Sequence, residues 1–479
     1  MSVYESRFLR FLATLFFALC LTSAIIAQDN NNDEDEDEPN EENGPAVVFD
    51  NPLVGAGVVV DAKGVLSLKQ NVDRTGRLDR RRRMEAQANL NPEVAQRSKL
   101  RKVSLNRLEA AVGKRIKNGE QPTQDMLYLA GLTKIQYIFY YPETKDIVLA
   151  GPGEGYTLDD HGRPMGIFSG DSGLQLEDLV VALRAFGPSG SQVGTVGCSI
   201  DPTQEGLAKM QQFLANIGSN AAGAGATDRI VRGLKDSLGL QTVTVMGISP
   251  NTHFANILVE ADYRMKMIGI GLEEPPVRIA SYVDRVSPSA LARNAMQRWY
   301  FVPDYDCVHV TDDGLAAELV GDGVKLVNAD EMVRSDGTRV QAAQADRASK
   351  KFVDTFTQRY PELAKRSPVY AQMRDMIDML IAAAYIQDQG YYAESEWSME
   401  VFSNEELVPV EIYPAPEQVE TAVNAVWKGS RLVTPVGGGV QIDARRAISP
   451  GHVKQDDGKV AKQHRAVKVR LADGQWWWD

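Results

Sequence analysis

The chain has 479 residues, of which 43% are hydrophobic and 24% are charged. These proportions are typical of folded globular proteins and exclude a mainly disordered chain. The length suits two or three domains, and the formal net charge of -12 conceals a strong segregation of charge along the sequence.

Residues 1–27 have the order of a secretory signal peptide. Arg7 and Arg10 precede an apolar stretch, Phe11–Ala27, that ends in small residues where a peptidase cuts. We therefore predict that the protein is exported and is secreted, periplasmic or part of the cell envelope. Its mature chain is predicted to begin near Gln28. An uncleaved membrane anchor is the alternative, because this stretch is at the lower length limit for crossing a hydrocarbon core of roughly 30 Å. The mature chain is predicted to lack a transmembrane span.

Two oppositely charged segments follow. Residues 28–43 carry nine acids and no base, so we predict a disordered acidic tail over 28–45. Residues 74–117 carry fourteen bases and four acids, a surface suited to anionic lipid or polysaccharide. A nucleic-acid partner is excluded from the prediction, because the chain is exported and no aromatic residue among these bases provides stacking.

The folded region begins with a predicted hairpin. Val58–Val60 and Val65–Leu68 flank a turn with Gly64 at a positive-φ position. The stretch Pro92–Lys117 is predicted to be helical, because its apolar residues recur every three or four positions. Alternating apolar residues from Ile135 to Tyr141 then indicate a strand of an antiparallel sheet.

The strongest helix pattern is Thr252–Met267, where Thr252 is a capping residue. Its spacing predicts that Ala261 and Met265 are buried and that Asp262 and Lys266 are exposed. The helix also contains two acid–base pairs, Glu260 with Arg264 and Asp262 with Lys266. In each pair the acid precedes the base by four residues.

The C-terminal half is predicted to contain a helical hairpin, formed by Ala342–Tyr360 and Val369–Ile386. An irregular region and a basic tail follow it. The tail ends in Trp476, Trp477 and Trp478, which suit a membrane interface, glycan stacking or a docking peptide.

These patterns change between periods of two and 3.6 residues without regular βαβ alternation. The predicted fold class is α+β, with mixed or antiparallel sheets packed with helices and flanked by disordered charged tails. The predicted segments are a signal peptide (1–27), an acidic tail (28–45), a hairpin with a basic helical arm (46–120), an α+β core (121–335), a helical hairpin (336–400), an irregular C-terminal region (401–443) and a basic Trp-ended tail (444–479).

One string matches the nucleophile loop of chymotrypsin-like serine proteases, Gly170-Asp171-Ser172-Gly173. A serine nucleophile needs a histidine base and a buried carboxylate from distant parts of the chain. The only upstream histidine is His161, eleven residues away and itself in a turn. We interpret the string as a polar turn before the helix Leu174–Phe186.

Two further strings carry side chains that bind metals or act as nucleophiles. Asp304–His309 offers metal ligands. Strand alternation, however, places Cys307 and His309 on one face and Asp304 and Asp306 on the other. Cys198 with His253 or His309 as base offers a thiol nucleophile, although an apolar strand favours an inert thiol. Whether Cys198 and Cys307 form a disulfide is left open.

The glycine-rich strings Gly151–Gly155 and Gly437–Gly439 lack the context of phosphate-binding loops and are interpreted as tight turns or close backbone contacts. We therefore assign no catalytic, cofactor-binding or metal-binding residue and predict no cofactor.

Several strings resemble a family of uncharacterised secreted proteins from planctomycete-type bacteria. They include Val148–Pro152, Leu176–Arg184, Cys198–Thr203 and Ala261-Asp262-Tyr263-Arg264-Met265-Lys266. The resemblance spans about residues 46–442 and implies membership of a domain of unknown function, without an activity. A glycine, Gly437, stands where the family pattern has serine.

Two classes of function fit these observations. The first is a non-catalytic cell-envelope or extracellular binding or scaffold protein, whose partner is unknown and suits an envelope protein or a polysaccharide. The alternative is a secreted hydrolase that acts on envelope polymers through carboxylates or a Cys/His pair. A pocket with two facing carboxylates, or Cys198 within reach of a histidine, would favour the hydrolase.

Overall fold

The computed structural model describes residues 57–69, 77–190, 193–217, 226–287, 295–329, 331–333, 339–341, 346–424, 427–428, 431–432 and 436–479. The predicted signal peptide (1–27) and acidic tail (28–45) lie outside the described residues. The described residues belong to one compact unit.

Helices form where apolar residues recur at helical spacing. Their bounds are α1 Arg77–Asn89, α2 Pro92–Ala95, α3 Leu105–Lys117, α4 Gln124–Leu127, α5 Leu176–Ala185, α6 Gln204–Ile217, α7 Ala226–Leu238, α8 His253–Gly269, α9 Tyr282–Arg285, α10 Arg347–Ala364, α11 Pro368–Asp388, α12 Tyr391–Glu394, α13 Ala444–Ala447 and α14 Lys459–Ala466. A short 3₁₀ turn covers Leu129–Gly131.

Strands occupy the β-branched and aromatic segments between the helices. Their bounds are β1 Val58–Val60, β2 Val65–Leu68, β3 Ser98–Ser104, β4 Tyr137–Tyr141, β5 Asp146–Gly153, β6 Tyr156–Leu158, β7 Pro164–Gly166, β8 Val196–Asp201, β9 Leu240–Met246, β10 Ala295–Pro303, β11 Val308–Val310, β12 Ala316–Leu319, β13 Val324–Asn328, β14 Glu331–Val333, β15 Arg339–Gln341, β16 Gln418–Glu420, β17 Trp427–Lys428, β18 Arg431–Leu432, β19 Val436–Ile442, β20 Lys454–Gln455 and β21 Trp477–Trp478.

Two sheets organise these strands. The large sheet has the order β1-β2-β16-β9-β8-β19-β10-β14-β15, with β13 also paired to β10. The small sheet has the order β20-β11-β12-β4-β5-β3-β21. Only β2–β16, β10–β19 and β11–β20 are parallel among the described pairs. The α+β class predicted from the sequence is confirmed.

The predicted hairpin β1–β2 is confirmed, and local hydrogen bonds explain its turn. Asp61 Oδ1 accepts hydrogen bonds from the backbone N–H of Lys63 and Val65, at 2.8 and 3.0 Å. Gly64 has a φ of 74°, a conformation that glycine adopts without strain.

Helix α11 lies at the centre of the hydrophobic core. It contacts α5, α8 and α10, and its residues from Val369 to Ile386 are buried almost throughout. Most of its buried side chains are Ala, Ile, Leu and Met, as expected of a helix surrounded on all sides, and the buried Asp375 and Asp378 are exceptions.

The region 401–443, predicted to be irregular, supplies β19 at the middle of the large sheet. The glycines of this strand permit very close packing: a Cβ on Gly438 would lie 1.8 Å from the Trp299 carbonyl oxygen, and one on Gly439 would lie 1.9 Å from that of Cys198. A strand with so many glycines lacks the usual β-propensity, so its sequence did not indicate it.

The basic arm also differs from its prediction. Only its second part, α3, is a long helix, because residues 98–104 form strand β3 between β5 and β21. Arg101 in this strand is completely buried and donates to the Val94 and Ala130 carbonyl oxygens, at 3.0 and 2.7 Å. A buried arginine with this many acceptors is compatible with a sheet interior.

The prediction of a disordered tail over 444–479 requires correction, since this segment forms α13, β20, α14 and β21. Trp477 pairs with Val103 at the edge of the small sheet, and the Arg101 guanidinium lies 5.0 Å from the Trp477 ring centroid. Arg101 also binds both carboxylate oxygens of the Asp479 side chain, at 3.0 and 2.9 Å. These contacts hold the tryptophans against the fold, where cation–π and ion-pair interactions add to strand pairing.

No helix among the described residues is long and apolar enough to span a membrane.

Candidate functional site: a charged cleft

A cleft lies between helix α1, the turn that joins β6 to β7, the outer face of α8 and the α10–α11 junction. Its larger lobe has a volume of about 500 Å³. A smaller lobe of about 250 Å³ adjoins it. The two lobes share the lining residues Asp159, Arg163, Met165, Arg366 and Pro368.

The β6–β7 turn presents polar groups to the cleft. Asp159 Oδ1 accepts hydrogen bonds from the backbone N–H of His161 and Arg163, at 2.8 and 2.9 Å, and Gly162 has a φ of 80°. This Asx-type turn is typical of Asp-x-x-Gly sequences. It places Asp160, His161 and Arg163 side by side on one wall.

The outer face of α8 forms the floor. Glu260 is completely buried and accepts hydrogen bonds from Arg163 (2.7 Å), Arg264 (2.9 Å) and the backbone N–H of Gly57 (2.7 Å). The predicted Glu260–Arg264 pair is therefore present, and Arg264 also binds Glu273 at 3.1 Å. Burial opposes ionisation of Glu260, but Arg163 and Arg264 outweigh it and hold the pKa of this carboxyl below its usual value.

Helix α1 forms a wall that charged contacts hold in place. None of its residues is buried. Arg82 forms an ion pair with Asp160 of the turn, and Arg83 pairs with Asp79 within the helix at 3.1 Å. Partly exposed pairs of this kind contribute at most about 1 kcal/mol each.

The α10–α11 junction forms the remaining wall. Ser367 is the N-cap of α11, Pro368 occupies its first turn, and the Ser367 side chain makes no capping hydrogen bond. The exposed side chain of Arg366 donates to the Pro276 carbonyl oxygen at 3.1 Å. Among the described contacts Arg366 has no carboxylate partner.

The cleft is positive although the protein is acidic. Its bases are Arg82, Arg83, Arg163, Arg264, Lys365 and Arg366, and its acids are Asp79, Asp159, Asp160 and Glu260. Six bases against four acids leave a local excess of two positive charges, whereas the whole chain carries a net charge of -12. Such a concentration of one sign in a concave site attracts ligands of the opposite sign.

His161 supplies a neutral polar group in the larger lobe. Its Nε2 atom is buried and has no hydrogen-bond partner in the structure. Burial and the nearby Arg163 lower the pKa of His161. The ring is therefore neutral near pH 7 and can donate or accept a hydrogen bond to a ligand.

The expected exposure of Asp262 and Lys266 was wrong. Both are buried, on the face of α8 that packs against β8 and β19. Lys266 Nζ lies 2.7 Å from Asp262 Oδ2 and also donates to the carbonyl oxygens of Ile200 (2.9 Å) and Gly438 (3.3 Å). Burial raises the pKa of Asp262 to about 6, although Lys266 opposes the rise. Ala261 and Met265 are buried, as predicted.

A second pair of buried carboxylates lies on α11, beneath the smaller lobe. Burial raises the pKa of Asp375 to about 6 and that of Asp378 to about 7. Arg374 binds Asp375 at 2.7 Å, and one oxygen of each carboxylate has no hydrogen-bond partner. Ser172 lies next to Asp375 without a regular hydrogen bond, and it lines the smaller lobe.

The serine string does not form a triad. Ser172 is nearly buried, at 6% exposure, and neither its Oγ nor His161 Nε2 has a hydrogen-bond partner. Gly170 has a φ of 74° in a turn that precedes α5. This agrees with the interpretation of the string as a polar turn, although its serine contributes to the cleft lining.

The acidic residues of the rejected metal-site candidate Asp304–His309 are distributed between separate ion pairs. Asp304 binds Lys325 at 2.7 Å, and Asp306 binds His452 at 2.9 Å. Within the described part of the chain, no group of three or more His, Cys, Asp or Glu side chains is placed to hold a metal ion.

Cys198 and Cys307 are free and buried, which answers the question whether they form a disulfide. Burial raises the pKa of both thiols, that of Cys307 to about 12. His253 is bonded instead to Asp178 at 2.9 Å, at the first turn of α8. Asp262 contributes to the raised pKa of the Cys198 thiol. Asp262 lies nine residues beyond His253 on α8, a separation of about 13 Å at 1.5 Å per residue.

The residues that build the cleft carried little signal in the sequence. The Glu260–Arg264 spacing predicted a pair but gave no reason to place it in a cavity. Arg163 follows a recognisable Asp-x-x-Gly turn, and Arg366 directly precedes a Ser-Pro helix start. Both signals locate an arginine at the end of an element, without showing that the two ends meet.

Residues 198–282 match the model of a family described as a protein of unknown function, DUF1598. This segment runs from β8 to α9 and includes Glu260 and Arg264 on the cleft floor. No curated protein and no solved structure matches the chain. The resemblance to a domain of unknown function is thus supported for the part of the chain that supplies α8.

Proposed function

We propose that the protein is an exported, non-catalytic binding protein of the cell envelope or extracellular space, and that the charged cleft binds an anionic ligand. The observation that carries the proposal is the excess of arginine and lysine in a cavity of an otherwise acidic protein. Guanidinium groups bind carboxylate, sulfate and phosphate through paired N–H donors.

The cleft is organised before a ligand arrives. Glu260 holds Arg163 and Arg264 in fixed positions through hydrogen bonds of 2.7 and 2.9 Å. Restricting these long side chains in the free protein lowers the entropy that is lost on binding. Arg366 and Lys365 add exposed cationic groups at the junction.

The same pairing disfavours acid–base catalysis on the floor of the cleft. A general acid needs a pKa near the working pH. Glu260 has a lowered pKa and is bonded to two guanidinium groups and a backbone N–H. It serves as a counter-ion for the arginines.

Export is part of the proposal and has its own test. Cell fractionation followed by N-terminal sequencing is expected to find the protein outside the cytoplasm with a start near Gln28. A cytosolic protein that retains Met1 would contradict export.

Ligand binding is tested by calorimetry with glucuronate, sulfate and phosphate. Arg366→Glu should lower affinity for every bound anion at least tenfold, because it replaces an attractive charge at the junction with a repulsive one. Arg347→Glu is the matched control, since Arg347 is exposed on α10 and does not line the cleft. Equal losses in both variants, or no anion binding at all, would refute the cleft as an anion site.

A secreted hydrolase is the second candidate, and one observation favours it. Asp375 and Asp378 are two buried carboxylates with pKa values of about 6 and about 7, and Asp375 lies next to Ser172, which lines the smaller lobe. Neither carboxylate lines the two lobes, so a hydrolase would have to expose them. Release of reducing ends from envelope polysaccharide by the wild type, but not by Asp378→Asn, would support this candidate.

A further inference from the structure

The two lobes differ in charge. The smaller lobe contains Arg83, Arg163, Lys365 and Arg366 and a single acid, Asp159. The larger lobe contains Arg82, Arg163, Arg264 and Arg366 and an equal number of acids, Asp79, Asp159, Asp160 and Glu260. Arg83 and Arg163 are paired with two acids of the larger lobe, Asp79 and Glu260. The bases without a described carboxylate partner are Lys365 and Arg366, and both line the smaller lobe.

The smaller lobe has features of a built anion site. Gly170 leaves room for Arg83, whose guanidinium lies 3.3 Å from the position that a Cβ would occupy. Ser172 lines the lobe at 6% exposure, and its hydroxyl lies beside the buried Asp375 carboxylate without a bond of regular geometry. A hydroxyl held in this way can still donate to a ligand in the lobe.

The larger lobe offers a different chemistry. Its charges are balanced and mostly paired with one another, and neutral His161 adds a hydrogen-bonding nitrogen. Pro276, Pro368 and Val369 add apolar surface. A wall that mixes hydrogen-bonding groups with apolar patches suits an uncharged ligand rich in hydroxyl groups.

The lobes are joined along a shared wall, so one ligand can occupy both. Their volumes of about 500 and about 250 Å³ together lie within the usual range for small-ligand sites, about 300–1,000 Å³. We propose that the ligand is an acidic oligosaccharide whose carboxylate or sulfate group binds in the smaller lobe while neutral sugar units fill the larger lobe. This inference rests on the proposed anion-binding function and narrows its ligand class.

The test compares ligands of different length and charge by calorimetry with the full mature chain. The probes are xylotriose substituted with one glucuronate, unsubstituted xylotriose and glucuronate alone. The substituted trisaccharide should bind at least tenfold more tightly than glucuronate, and unsubstituted xylotriose should not bind measurably. A singly sulfated galactotriose tests whether the smaller lobe prefers sulfate or carboxylate. It should bind more tightly than the glucuronate-bearing probe only if sulfate is the preferred group.

Matched variants locate the two parts of the ligand. Lys365→Ala should weaken the substituted trisaccharide about tenfold, since Lys365 lines only the smaller lobe. Lys350→Ala is the control, because Lys350 is exposed on the same helix and lies outside both lobes. Arg264→Lys should reduce the ratio of trisaccharide affinity to glucuronate affinity, because Arg264 lines only the larger lobe.

The outcomes separate this inference from the function on which it rests. If glucuronate binds as tightly as the substituted trisaccharide, the oligosaccharide inference is overturned and the anion site stands. If Lys365→Ala and Lys350→Ala behave alike, the placement of the charged group is wrong. If no anionic probe binds, both proposals fail.

Discussion

Helix α8 carries two buried acid–base pairs that behave in opposite ways. On its outer face Glu260 receives hydrogen bonds from Arg163, Arg264 and Gly57, and its pKa is lowered. On its inner face Asp262 has one cationic partner, Lys266, and an oxygen with no hydrogen-bond partner, and its pKa rises to about 6. Burial is nearly complete for both carboxylates, so the number of donors around each one decides the direction of its pKa shift.

The outer pair, Glu260 with Arg264, belongs to the cleft, and the inner pair, Asp262 with Lys266, belongs to the core. The outer carboxylate has a full set of donors and opens on a cavity. The inner pair is short of donors and is enclosed by β8 and β19. The outer pair is therefore accessible to a ligand, whereas the inner pair links the helix to the backbone of the sheet.

The largest expected effect tests the outer pair. Glu260→Gln leaves the buried Arg163 guanidinium without its carboxylate, and we expect the free energy of unfolding at pH 7 to fall by about 3 kcal/mol, the scale for breaking one side of a buried ion pair. Urea denaturation measures the change. Asp262→Asn is the matched comparison. It also leaves a buried cation, Lys266, without a carboxylate, but it removes the cost of ionising Asp262 at this pH, so its loss of stability should be smaller. Equal losses would show that the two pairs are equivalent.

The next effect concerns pH. The folded-state pKa of Asp262 is about 6, above the ordinary value of 3.8, so its contribution to stability is full below pH 4 and is lost as the pH rises to 6. Asp262→Asn has no carboxyl to ionise, so its free energy of unfolding should not show this loss. Between pH 4 and pH 6 the difference between the variant and the wild type should therefore shift in favour of the variant by up to about 3 kcal/mol, with no further shift above pH 6.

Glu260 gives the opposite dependence of the free energy of unfolding on pH. Its lowered pKa stabilises the fold above the ordinary value of 4.5, and this contribution is lost as the pH falls below that value. The deficit of Glu260→Gln relative to wild type should therefore shrink in acid. Parallel pH profiles for the two variants would contradict the opposite pKa shifts of the two carboxyls.

A third prediction uses Cys198 as a probe of the enclosed face. The thiol is completely buried and its pKa is raised, so a thiol reagent should reach it only when the protein opens. In a Cys307→Ser background, Glu260→Gln should speed labelling about 100-fold if its stability falls by about 3 kcal/mol. Rapid labelling of the folded wild type would show that this face is accessible.

The smallest expected effect tests the junction. Arg366→Ala should change the free energy of unfolding by less than about 0.5 kcal/mol, because Arg366 is exposed and its described hydrogen bond is to one carbonyl oxygen. Thermal denaturation checks this value. A loss comparable with that of Glu260→Gln would assign Arg366 a structural role and would weaken its use in the cleft.

Several elements were predictable because their signals are local. The hairpin β1–β2 follows from two valine-rich runs around an Asp-Ala-Lys-Gly turn. Helix α8 follows from its capping threonine, whose Oγ1 accepts a hydrogen bond from Ala255 N–H, and from its apolar repeat. Each signal depends on residues that are neighbours in the chain.

Predictions failed where distant segments supply the partner. Asp262 and Lys266 read as a surface pair, since nothing in α8 shows that a glycine strand from residues 436–442 covers them. The basic C-terminal segment read as a tail, since its partner Arg101 lies more than 350 positions away. Local patterns do not contain such contacts.

The α+β class, the positions of the strongest helices and turns, and the pairing of Glu260 with Arg264 followed from local sequence patterns. Which charged pair faces a cavity depends on long-range packing, because the large sheet covers one face of α8 and leaves the other open. The same packing decides that Arg163, Arg264 and Arg366 line one cleft. The physical reason is that periodicity identifies an apolar face, whereas the charge state and accessibility of a polar group depend on donors and surfaces from other parts of the chain.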